Sequence, residues 1–132
     1  MKRSFVTVLT LLLLCISGIT SSQSLQFCED VGSNGAAIKP STVFSISTKG
    51  GYLKCLTTLP YTVGTSSVSY EVYRIDSEGN ETYDNSIQQT VDPGYTWFWK
   101  EITFYDEGRY NIYVYDSDKN FLASEQIRIQ YY

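Results

Sequence analysis

Tyr95-Thr96-Trp97-Phe98-Trp99-Lys100-Glu101-Ile102-Thr103-Phe104-Tyr105-Asp106-Glu107-Gly108-Arg109-Tyr110-Asn111-Ile112-Tyr113-Val114-Tyr115-Asp116 is the stretch whose reading decides the fold. It holds both tryptophans and five of the twelve tyrosines, a weight of β-favouring aromatics that argues for strands. Asp106-Glu107-Gly108 divides it into two runs. Phe98, Ile102 and Phe104 share one parity before that turn, and Tyr110, Ile112 and Val114 share one parity after it. Successive strand residues face opposite sides of a sheet, so this alternation is what a half-buried strand requires.

Working outward, the same pattern recurs. Thr42–Ser47, Tyr52–Leu59 and Val68–Ile75 alternate, and Lys49-Gly50-Gly51, Pro60 and the Gly64–Ser67 loop separate them. Asp76–Asn80 is a polar turn into a weaker, edge-like run, Glu81–Val91, which stops at Asp92-Pro93-Gly94. After the opening stretch, Asp116–Asn120 turns into a last strand, Phe121–Tyr131. No segment beyond the N-terminal leader has helical periodicity. The expectation is an all-β fold, a two-layer antiparallel β-sandwich of about seven strands.

Residues 1–22 read as a signal peptide. A basic start, Met1-Lys2-Arg3, precedes an apolar run from Phe5 to Ile16 and then small polar residues. The run is shorter than the roughly 20 residues a membrane-spanning helix needs. Thr20 and Ser22 suit cleavage after Ser22. A lipoprotein signal built on Cys15 is the competing reading, against which Leu14 stands where a small residue is wanted. Residues 23–41 are then a loop-like N-terminal segment, with Leu25 and Phe27 as a short edge strand, and 42–132 form the sandwich. The expected location is secreted, periplasmic or at the cell surface.

Without the leader the chain carries 8 basic and 14 acidic residues, a formal charge of −6. With no basic cluster, nucleic acid is not an expected partner. Cys28 and Cys55 are the two thiols left in an exported chain, which favours a disulfide between them. Closing that loop would contribute about 3–4 kcal/mol on the chain-entropy model.

The chain has no histidine, which removes Ser-His-Asp and Cys-His nucleophiles and most zinc and copper sites. Paired carboxylates for glycoside hydrolysis remain a distant alternative, because the acids gather in turns. No enzyme activity and no cofactor is expected. Asp116, Asp118 and Asn120 space oxygen ligands as calcium loops do, but Phe121 and Leu122 follow where a glycine and a distal glutamate belong, so a solvated turn is the preferred reading. The aromatics carry the functional lead. Tyr95, Trp97 and Trp99 share the face opposite to Phe98, Ile102 and Phe104, and would stack on sugar rings or anchor a protein partner if that face is outside. Tyr113 and Tyr115 add two more outward tyrosines.

Asp106-x-Gly108-x-Tyr110 resembles the tyrosine corner of immunoglobulin-like domains, in which the tyrosine hydroxyl bonds back to the backbone just upstream. The longer phrase through Ile112 and Val114 is similar to the same corner in bacterial immunoglobulin-like and PKD-like domains. The resemblance implies an immunoglobulin-like strand order, and departs from antibody-type domains where Ile112 replaces the second cysteine. Apolar packing then replaces the bridge between the sheets, and Cys55 is left to Cys28. Spacing back from the corner in antibody-like domains would turn Trp97 and Trp99 inward, through a bulge that also relieves Lys100. That core placement is the expectation. The functional expectation is a non-enzymatic binding or structural module, with a small carbohydrate-binding module on Trp97, Trp99 and Tyr95 as the alternative.

Overall fold

The computed structural model describes residues 23–132; the signal-peptide reading of residues 1–22 and the lipidation reading at Cys15 lie outside the described residues. Ten strands follow one another: β1 (Ser24–Cys28), β2 (Asp30–Val31), β3 (Ala37–Ile38), β4 (Val43–Ile46), β5 (Gly51–Thr58), β6 (Ser67–Ile75), β7 (Glu81–Thr90), β8 (Trp97–Phe104), β9 (Gly108–Asp116) and β10 (Phe121–Tyr131). Eight build two layers, a three-stranded sheet β1-β5-β8 and a five-stranded sheet β4-β10-β9-β6-β7, and β2 and β3 form a small hairpin of their own. All pairings are antiparallel except β4 with β10.

The alternation read from the sequence does the packing. Tyr110, Ile112 and Val114 of β9 meet Val68, Tyr70 and Val72 of β6 and Leu122, Ile127 and Ile129 of β10 on one inner face. Leu25, Phe27, Leu53, Cys55, Phe98, Ile102 and Phe104 supply the other. Each of these side chains contributes about 1.5–3 kcal/mol by leaving water. β9 lies in the middle of the larger sheet, so its inner residues are enclosed on every side.

The first strands close one side of the sandwich. β1 pairs with β5 in one sheet, and after Pro40 the chain re-enters the other as β4 beside β10. The crossing is tied by a hydrogen bond from the Ser41 N–H to the Phe27 carbonyl at 2.9 Å. The N-terminal segment is therefore held by strand pairing and by burial of Leu25 and Phe27.

The expected Cys28–Cys55 disulfide is corrected: both thiols are free and buried. The register explains why. Phe27 stands opposite Cys55, and Cys28 stands opposite Lys54. Residues one step apart point to opposite faces, so Cys55 enters the core while Cys28 lies on the outer face, its thiol donating to the Lys54 carbonyl at 3.6 Å. A disulfide needs both Cβ atoms on one side, about 3.5–4.5 Å apart. Desolvation pushes both thiols above their ordinary value, away from the reactive thiolate. Intact mass of the chain from Gln23 onward is thus expected to be unchanged by reductant, with neither cysteine alkylated until the protein is unfolded. A mass gain on reduction would contradict this register.

Candidate functional site

The tyrosine corner forms as its motif implies. Tyr110 donates its hydroxyl proton to the Asp106 carbonyl at 2.7 Å. Gly108 opens β9 at φ 147°, where a Cβ would come within 3.0 Å of Arg74 Nη2. Arg74, which the sequence analysis did not single out, completes the corner. Its Nη1 donates to the Tyr110 hydroxyl at 2.7 Å and its Nη2 to the Glu107 carbonyl at 2.8 Å, with the guanidinium over the Tyr110 ring. Parity within β6, shared with Tyr70 and Val72, was the signal available for finding it. This corner is structural and presents no open donor set.

Tyr95, Trp97 and Trp99 lie on the outer side of β8, which corrects the expected core placement of the tryptophans. β8 pairs with β5 in unbroken register, with no bulge between Trp99 and Ile102. Phe98, Ile102 and Phe104 are the buried set. Lys100 is tolerated at an inward position because β8 is an edge strand, so its side chain is only half-buried. Tyr95 is 49% and Trp99 38% exposed.

Both indoles are already engaged within the molecule. Lys54 on the neighbouring strand holds its ammonium 4.2 Å over the Trp99 ring and pairs with Asp30 at 2.6 Å. The hydrogen bond from Lys54 holds the Asp30 carboxyl below the usual carboxylate range. Trp97 packs on Gly35 in the β2–β3 turn, where a Cβ would stand 2.7 Å from the indole ring and the backbone is at φ 84°. Gly35→Ala is therefore expected to lift the hairpin off the sheet, lowering stability by about 1–3 kcal/mol and red-shifting tryptophan emission. Unchanged emission would mean that the hairpin does not rest on Trp97.

The outer face of the five-stranded sheet brings together aromatics that are far apart in sequence. Tyr73 on β6 sits between Tyr83 on β7 and Tyr113 on β9, edge-to-face, with ring centroids 5.9 Å and 5.6 Å away. Tyr115 continues the row on β9 and meets Phe121 of β10 at 6.1 Å. Tyr83 is 57% and Phe121 49% exposed. Tyr113 and Tyr115 were singled out from sequence. Tyr73 was legible from its parity, whereas Tyr83 and Phe121 join the row only through register shifts in β6–β7 and β9–β10.

The Glu81 carboxylate accepts hydrogen bonds from the Tyr113 hydroxyl and the Asn111 side-chain amide. Its bond to the phenol raises the Tyr113 pKa from 10.0 to about 12. The protonated phenol is the form the fold favours, so this stabilisation is complete below pH 10 and is lost as pH rises toward 12. An alkaline absorbance titration is expected to show a late-ionising tyrosine that returns to the ordinary range in Glu81→Gln. An unshifted curve in that variant would refute the assignment.

The calcium-like spacing at Asp116, Asp118 and Asn120 is spent on a turn. Asp116 Oδ1 accepts the Asp118 and Asn120 N–H groups, each at 2.8 Å, and Oδ2 accepts the Asn120 amide. Desolvation works against the charge, but these bonds outweigh it and hold the Asp116 carboxyl below its usual range. Asp76 caps the β6–β7 turn in the same way. Among the described residues no group of three or more His, Cys, Asp or Glu side chains is arranged to hold a metal. Among the same residues no helix is long and apolar enough to cross a membrane.

Strand order, corner and layers define an immunoglobulin-like β-sandwich. An immunoglobulin-like protein from Pseudomonas aeruginosa superposes with a TM-score of 0.51 at 13% identity, covering 86% of this chain and 100% of that one. The CARDB domain of a Pyrococcus furiosus protein aligns at 0.44 and 12% identity over 84% and 93% of the two chains. A superoxide reductase from Ignicoccus hospitalis aligns at 0.43 and 8% over 86% and 82%. No family model matches the chain, nor does any curated protein by sequence.

Proposed function

We propose that this is an exported, non-enzymatic recognition module that docks a protein partner on the outer face of its five-stranded sheet. The observation that carries the reading is the aromatic row from Tyr83 through Tyr73, Tyr113 and Tyr115 to Phe121. The five strands of this sheet contain no lysine and carry Arg109 and Arg128. Protein-binding surfaces are enriched in Tyr and Arg and depleted in Lys, and Tyr with Ser supplies broad contact at low entropic cost. The absence of histidine from the chain supports recognition over catalysis. The sugar-stacking alternative on Trp97 and Trp99 is less well supported, because the hairpin and Lys54 already cover part of both indoles.

The test is site-directed photo-crosslinking in the source cells, with the probe placed at Tyr83, at Phe121 or at Trp99. Adducts to one discrete protein from the first two positions, lost with Tyr73→Ser, are expected. Adducts from Trp99 alone, or glycans that quench tryptophan fluorescence in a broad panel, would overturn the reading.

A further inference from the structure

The sandwich is closed on one side and open on the other. On the side of β1 and β4 the chain crosses between sheets and covers the gap. On the opposite side the small sheet ends at β8 and the large one runs on to β7. In constant-type immunoglobulin domains the sheet that carries the first two strands has a fourth strand at this edge. Here the chain passes from β7 directly to β8 through Asp92-Pro93-Gly94, and the place of that strand is vacant. A groove of about 940 Å³ runs along it, lined by Gln89, Tyr95, Trp97, Trp99, Lys100 and Glu101 among others.

Two observations say what fits there. The first is a stand-in for backbone. Gln89 of β7 donates its amide Nε2 to the Trp99 carbonyl at 2.8 Å, and its Oε1 accepts the hydroxyl proton of buried Tyr70 at 2.6 Å. The Trp99 carbonyl thus faces away from β5. By the alternation of an antiparallel ladder, the main-chain groups of Trp97, Glu101 and Thr103 face the same way. Gln89 occupies the position of one N–H of a missing neighbour. The second is charge. Lys100 points inward and half-buried on this edge, and it forms no ion pair among the described residues. An inward lysine repels an apolar strand, and it repels a second β8 whose own Lys100 would meet it. A strand carrying a carboxylate at that level satisfies it.

We propose that the free edge of β8 takes up an extended segment of a partner polypeptide as a fourth strand, with an acidic side chain of that segment facing Lys100. Main-chain hydrogen bonds supply affinity and the lysine supplies selection. The inference goes beyond the docking face above and uses the other sheet, so either can fail without the other.

Two capped heptapeptides test it, threonine-valine-threonine-aspartate-threonine-valine-threonine and its counterpart with lysine in the centre. The acidic peptide is expected to slow hydrogen exchange at the Trp97 and Glu101 amides and to bind about tenfold tighter than the basic one, a difference of about 1.4 kcal/mol. Lys100→Glu is expected to reverse that preference and Lys100→Gln to erase it, with thermal unfolding confirming that both variants are folded. No protection by either peptide, or protection indifferent to the charge at position 100, overturns the proposal. Oligosaccharides that perturb tryptophan fluorescence without protecting β8 amides would reassign the groove to glycan.

Discussion

Ile112→Ala is expected to lower the unfolding free energy by about 2–5 kcal/mol, the range for removing a buried isoleucine side chain beyond Cβ. Ile112 is fully buried on the central strand of the larger sheet, paired with Val72 on one side and Glu125 on the other. Neither neighbour can collapse into the gap without breaking its own ladder, so most of the cavity penalty stays. In a domain of about 110 residues each kcal/mol moves the melting temperature by roughly 4 °C. Ile112→Val removes one methylene and is expected to cost about 0.5–1.5 kcal/mol. The position matters because antibody-type domains place a disulfide cysteine there, and here the layers are joined without a disulfide. Guanidinium unfolding with an unchanged slope and a lowered midpoint is the readout. A loss below about 1 kcal/mol would mean that the core is centred elsewhere.

Tyr110→Phe keeps the ring and deletes one hydroxyl, yet it is expected to cost about 1–3 kcal/mol. The ring packs on Phe104 at 4.9 Å, so the variant fills the same space. What it loses is the donor to the Asp106 carbonyl and the acceptor for Arg74 Nη1. Arg74→Met is expected to destabilise as well, since Nη2 also serves the Glu107 carbonyl. The double variant should cost less than the two single losses together, because both act on one hydrogen-bonded corner. Additive losses would show that tyrosine and arginine hold the turn independently.

These variants probe what was legible beforehand. Period-two alternation through Phe98–Phe104 and Tyr110–Val114 identified strands and their inner sides, because side-chain direction along a strand is a local property. The corner at Asp106–Tyr110 was legible for the same reason, since its bond closes within five residues. The cysteines were misjudged because export says nothing about register, and a one-residue offset decides whether two thiols share a face. The tryptophans were misjudged because an inward Lys100 is intolerable in a central strand and tolerable at an edge, and edge position depends on the whole strand order.

The amino-acid sequence alone determined that this chain forms pleated layers with Tyr110, Ile112 and Val114 inside, since alternation and turn chemistry act over a few residues. Only the tertiary structure decided that Tyr73, Tyr83 and Tyr113 form one row and that β8 is left with an open edge. Neighbours across strands and the strand missing beside β8 are set by pairings between segments tens of residues apart, and no local pattern encodes them.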